Sequence, residues 1–433
     1  MFGLLRPKPP LGAWEKAWVE TQMHRLAQQF IHHRLLESEV ILPNEDYFPG
    51  DFRGSEEDAQ RYLGLVLRYM RAEAVELQIA VCEDCQCGPR RSAVESTDER
   101  PVIQIPQTRL SDPQLLVATL SHEVSYELLR RNHLLDELVA APWLADLLTV
   151  FLGLGIFGTN STVLQAESNG YLPTRMFGYA LALFAWIREE TNPAWTRYLR
   201  PDGASMLQSS RRYLDRTGDS LFRHSTMHLQ RSALSVNELV SELGDRSDSV
   251  RIAALWSLAV MGRGGSTAAA AVTDCLRAKD ANVRGEAAAT LAVFGSASDD
   301  TREALVECLR DPTTEVRAAA VQTLGVVAAG SSDLILELAA ALDDDSRQVV
   351  AAAAIAVGQQ ESAGAAALQE VLAALRAALV RCDNENAGLL AATLQTIVPD
   401  AEQQVSELFD EYDSELRQVA LEILAEQSTQ KAV

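Results

Sequence analysis

From Val236 onward, apolar and polar positions alternate in one phrase that returns every 33 residues: an acidic or polar turn, a Val-Arg pair, then an alanine-rich apolar run. The pair stands at Val250-Arg251, Val283-Arg284 and Val316-Arg317. It keeps its spacing as Val349-Val350, loosens around Ala387 and closes at Leu416-Arg417. Each unit splits into two stretches of helical period, such as Val236–Leu243 with Val250–Met261 and Thr301–Leu309 with Val316–Val327. Asp311-Pro312 marks the turn inside the second of these. Residues 231–433 are therefore expected to form an all-α solenoid of about six helix pairs, since one pair cannot bury its apolar face alone. Alanine clusters at 287–289 and 351–354 let helices approach closely. The recurring arginine is expected to bond turn carbonyls or acids of neighbouring repeats; a row of ligand-binding arginines is the alternative.

The first 230 residues show no such period. Trp14 to Leu36 has helical spacing, Val40-Ile41-Leu42 looks like a short strand, and Pro43 to Gly54 is a loop rich in Pro, Gly and aromatics. Ser55 with acids behind it starts another helix. Strands are expected near 76–81 and 102–105. Ser111 and Gln114 form a capping box, with Asp112-Pro113 in the first turn. Val117, Leu120, Val124 and Leu128 then make a buried stripe. Further helices are expected at 138–152, 176–190 and 203–217, and a boundary within 218–234. The first domain, 1–230, thus reads as α+β and helix-dominated.

The charge is uneven. The net of -22 divides into -16 from residue 231 onward (31 acidic, 15 basic) and -6 before it (29 and 23). Such a surface repels phosphate, which argues against nucleic acid and anionic membrane as partners. An acidic face also serves solubility alone. No stretch approaches the roughly 18 consecutive apolar residues of a membrane span, and prolines at 7, 9 and 10 break any leader-like run. Six cysteines in 433 residues suggest reduced thiols and a cytoplasmic setting.

The repeats resemble the HEAT-type repeats of bacterial proteins, close to the short variety found in phycobilin lyases. The resemblance implies a stack that holds a protein partner; a chromophore- or cofactor-related lyase is a weaker implication. The repeats contain no histidine, the last being His228, so the His-Glu di-iron sites of some HEAT-repeat hydroxylases have no counterpart.

Candidate chemistry lies in the first half. In His122-Glu123-Val124-Ser125-Tyr126, a His and a Glu sit mid-helix as in the His-Glu-x-x-His of zinc peptidases. Residues four apart share a helical face there, so two imidazoles can reach one metal while the Glu polarises its water. Tyr126 occupies the second His position. His133, eleven residues past His122 and about 16 Å by the helix rise, cannot share its metal. With the segments Leu120–Leu129, Leu144–Gly155, Leu42–Pro49 and Met176–Leu183, the first half resembles a zincin-like, gluzincin-type family of bacterial proteins. In that class a Glu on the next helix is the third ligand, with an Asp four residues later in support. Asp146 matches the Asp, and Pro142 stands where the Glu would be. The resemblance implies a metallopeptidase-like fold, either a pseudoenzyme without cofactor or a zinc peptidase. In the latter, His122, Tyr126 and Asp146 would be metal ligands and Glu123 the general base.

A second candidate is Cys82-x-x-Cys85-x-Cys87, a knuckle suited to zinc that needs a distant fourth ligand such as His24, His32 or His33. The run Gly153-Leu154-Gly155-Ile156-Phe157-Gly158 matches a dinucleotide fingerprint by letters alone. It follows a helix and not a strand, so close helix packing is the expected reason for its glycines.

Overall fold

A computed structural model describes residues 8–30, 33–82, 101–135, 141–162, 171–222, 234–327, 332–408 and 414–431. The chain divides into two compact units, Met1–Ala233 and Leu234–Val433.

The first unit begins with α1 (Ala13–Gln29), α2 (His33–Glu37) and α3 (Glu56–Tyr69). Ser55 caps α3: its hydroxyl accepts the Asp58 N–H, and the Asp58 carboxylate accepts the Ser55 N–H. Strands β1 (Gln78–Cys82) and β2 (Val102–Pro106) pair in parallel, Ile79 opposite Ile103, and both isoleucines are buried. Then come α4 (Pro113–Arg131), α5 (Ala141–Phe151), α6 (Gly155–Thr162), α7 (Thr174–Ile187) and α8 (Pro201–Thr217). Helix α7 is buried continuously from Met176 to Ala185 and packs on α1, α5, α6 and α8, so it forms the centre of this unit.

Three local expectations are corrected. Among the described residues the only sheet is β1–β2, so β structure is slighter than an α+β reading implies. Val40–Leu42 is not a strand; the Ile41 N–H donates to the Gly153 carbonyl at 2.9 Å. That contact explains Gly153, which has φ +88° and whose Cβ would lie 2.1 Å from the Glu39 carbonyl oxygen. Helix α4 is capped by Asp112, which accepts the Gln114 N–H at 2.8 Å, while Ser111 donates to the Thr108 carbonyl. With Pro113 at the first position, the aspartate is the better placed acceptor. The glycines of α6 follow from packing: a Cβ on Gly158 would meet the Phe177 ring at 2.8 Å.

The second unit is six helix pairs: α9 (Val236–Leu243) with α10 (Asp248–Val260), α11 (Ala269–Cys275) with α12 (Ala281–Phe294), α13 (Asp299–Cys308) with α14 (Thr314–Val327), α15 (Ser332–Ala340) with α16 (Arg347–Gly358), α17 (Leu368–Val380) with α18 (Asn384–Ile397), and α19 (Ala401–Leu408) with α20 (Ser414–Lys431). The second helices stack consecutively from α10 to α20 as one layer. Val250, Val283, Val316 and Val349 are all buried at its core. The helical stretch Glu361–Val380 is long and apolar enough to cross a membrane, which the sequence reading did not find. It packs within the stack through Val371, Leu372, Leu375 and Leu379.

Two polar ladders cross the repeats. Arg284 donates through Nε and Nη2 to both oxygens of Asp311 (2.6 and 2.8 Å), and Arg317 does the same to Asp344 (2.7 and 2.9 Å). Their Nη1 atoms reach the turn carbonyls of Ala278 and Asp311, as the recurring arginine predicts. The series breaks at Ala278, where Asp311 and Asp344 have their equivalent; Arg251 turns to Asp248, and its Nε lacks a hydrogen-bond partner. In the second ladder, Thr290, Thr323 and Thr393 donate back to the carbonyls of Leu255, Ala288 and Ala354. Gln360 supplies the missing bond, to Gly325.

Arg317→Ala is expected to cost about 2 kcal/mol at neutral pH, the worth of a charge-assisted, bidentate pair. Its hydrogen bonds to Arg317 hold Asp344 below the ordinary 3.8. This contribution is therefore complete above that value and lost as pH falls through the depressed pKa. Urea titrations at pH 7 and pH 3 should show the wild-type advantage at the first and a reduced one at the second.

Candidate functional site

Helix α4 carries His122 and Glu123 at mid-length, and α5 sets Asp146 against them. His122 Nδ1–H donates to Asp146 Oδ1 at 2.7 Å, and the other oxygen, Oδ2, accepts the Leu172 N–H at 2.8 Å. The Tyr171 ring meets the imidazole edge-on at 5.2 Å. Arg109 donates to Thr119 Oγ1 at 2.8 Å and to the Tyr171 hydroxyl at 3.3 Å. Burial disfavours the imidazolium, but the charge and hydrogen bond of Asp146, with Glu123 behind, outweigh it, and the His122 pKa is raised above 6.5. Burial chiefly pushes the Tyr171 phenol up as well.

The residues singled out in the sequence are thus brought together only in part. His122 and Asp146 touch. Tyr126, one turn along α4, is half-buried and makes no hydrogen bond to either among the described residues. Glu127 binds Arg130 and Arg131. Pro142 falls in the first turn of α5, where its missing N–H costs nothing. His133 lies past the end of α4 with φ +54°.

Of the three metal ligands the sequence offered on these helices, the fold brings two together, His122 and Asp146. Both Asp146 oxygens and His122 Nδ1 are engaged in hydrogen bonds. No group of three His, Cys, Asp or Glu side chains among the described residues could hold a metal. Cys82 is disulfide-bonded where a thiol was expected, Cys85 and Cys87 lie outside the described residues, and so does His32. His24 stacks on Phe222 at 3.9 Å, and His33 begins α2.

The solenoid also carries a surface feature outside the residues singled out in the sequence. Val260, Val293 and Val326, each 33 residues from the next, lie in the last turn of α10, α12 and α14 and are 89%, 47% and 47% exposed. Trp256, half-buried, lies one turn before Val260, and Ile355, 47% exposed, holds the place on α16 that Trp256 holds on α10. The signal was present as a third recurring position, hidden because it shares the apolar run with buried residues.

Residues 236–325 and 302–393 match the family model for HEAT repeats, and the second unit is accordingly a HEAT-repeat α-solenoid. An engineered protein is 22% identical over 45% of this chain and 96% of its own, with a TM-score of 0.30. A designed armadillo repeat protein in complex with the peptide (KR)4 is 19% identical over 44% and 100%, TM-score 0.32. Human deoxyhypusine hydroxylase in complex with glycerol is 16% identical over 81% and 99%, TM-score 0.27. No curated protein matches the chain.

Proposed function

We propose that this chain is a protein-binding scaffold: the HEAT repeats hold a protein partner on the second-helix layer, and the first unit is a zincin-related domain without zinc chemistry. The repeated exposure of Val260, Val293 and Val326 carries the reading. Apolar side chains on equivalent positions of consecutive repeats form an ordered row, unlike the isolated exposed residues any surface carries. For the first unit, support comes from Asp146, which holds His122 by a hydrogen bond in the supporting role the family resemblance gives it. The ligand positions at Tyr126 and Pro142 depart from that family. A peptidase would need ligands at the two positions that Tyr126 and Pro142 hold.

Aspartate at Val293 and Val326 should abolish recovery of the partner from cells that make the protein, while Glu123→Gln leaves it intact. The opposite pattern would sink the scaffold reading. Elemental analysis belongs beside it: stoichiometric zinc that disappears in His122→Ala would restore the peptidase.

A further inference from the structure

The row has a charge as well as a shape. Every arginine on α10, α12, α14 and α16 is tied to an aspartate: Arg251 to Asp248, Arg284 to Asp311, Arg317 to Asp344, and Arg347 to Asp383 at 3.1 Å. Glu315 and Glu385 are exposed on the same layer, and no ion pair joins them among the described residues. Glu315 precedes Val326 by eleven residues and Glu286 precedes Val293 by seven, so acids and valines share one stripe of their helices. The face is therefore apolar along its row and negative beside it.

Spacing restricts what can lie there. Packed helices stand about 8–10 Å apart, so successive valines recur at that step. A β-strand would reach it every third residue, but residues three apart point to opposite faces of a strand. An α-helix returns to the same face every seventh residue, after about 10.5 Å. On α10 and α16 a bulky apolar residue, Trp256 or Ile355, lies one turn before the valine position, with Ala289 and Gln322 at the places between, so the strip is widest at these two helices and suits a helical stripe more than a single thread.

Resting on the scaffold reading, we infer that the occupant of this row is a cationic amphipathic helix. Its apolar residues recur by heptads, and lysines or arginines flank them to meet Glu315 and Glu385.

A synthetic three-heptad peptide of leucine and lysine, labelled for fluorescence anisotropy, tests this on the full chain. It should bind at low salt. Binding should weaken about tenfold in Val293→Ser/Val326→Ser, where two half-exposed side chains lose their apolar contact, and about tenfold in Glu315→Lys/Glu385→Lys. All four positions are on the surface, and circular dichroism melts should show unchanged folding. Equal binding by a scrambled peptide of the same composition, by a leucine–glutamate version, or by the valine variant would overturn the inference. The scaffold reading fails separately. A native partner that crosslinks to the second-helix layer through an acidic or extended segment would refute the cationic helix and leave the scaffold standing.

Discussion

Replacing Glu20 with alanine is expected to destabilise the first unit by about 3–5 kcal/mol, the usual result of breaking a buried ion pair from one side. Glu20 lies 3.1 Å from Lys16 one turn away on α1, and their side chains are 0% and 1% exposed. The Tyr179 hydroxyl on α7 donates to Glu20 Oε1 at 2.5 Å, and the Leu221 N–H donates to Oε2 at 2.9 Å. Asp219, 3.5 Å from Lys16, also accepts the Tyr213 hydroxyl of α8. Two carboxylates joined through Lys16 thus tie three helices and the segment after them, and Glu20 carries the link between α1 and α7. Without Glu20, the Lys16 ammonium stays buried with weaker compensation, and a phenol and an amide lose their acceptor. Burial first, then Glu20, raises the Tyr179 pKa well above 10. Glu20→Gln keeps the shape and should cost distinctly less. Five of the six tryptophans lie in the first unit, so urea unfolding followed by tryptophan fluorescence reads this change. A shift under about 1 kcal/mol would contradict the account.

Asp146→Ala should cost a similar amount, about 3–5 kcal/mol, because it strips both the His122 imidazole and the Leu172 amide of a buried acceptor. It should also change the pH dependence. His122 has a folded pKa above its ordinary 6.5, so the folded state retains a proton that the unfolded chain has released. The stabilisation is complete below 6.5 and is lost as pH rises through the folded value. Wild-type fluorescence midpoints should therefore fall as pH rises above 6.5, and the slope should flatten in Asp146→Ala. An unchanged slope would mean that Asp146 does not hold the proton on His122.

Much of the solenoid was legible in the sequence because its information is periodic. A valine that must be buried and an arginine that must reach the next turn recur at fixed intervals, and each copy supports the others. The threonine ladder was less visible: Thr290 and Thr323 keep the spacing, but Ala356 interrupts it and Thr393 follows a longer fifth unit. The 3-10 turn Glu361–Ala367 runs straight into α17 there. In the first unit the helices were legible from stripes and caps, whereas the Val40–Leu42 strand was not. Apolar β-branched residues fit a strand or a buried loop equally, and only the distant Gly153 carbonyl decides between them. The His122–Asp146 contact joins residues 24 apart. The residue types suggested metal ligands, and that Asp146 accepts from both His122 and the Leu172 amide could be read only in three dimensions.

The most direct test of the central claim is crosslinking from a photoreactive amino acid placed in turn at Val293, at Leu336 on α15 in the other helix layer, and at Glu123. Both Leu336 and Val293 are exposed, so accessibility alone does not favour either. The account predicts a partner adduct from position 293 and none from 336 or 123. An adduct from 336 or 123, with none from 293, would contradict it.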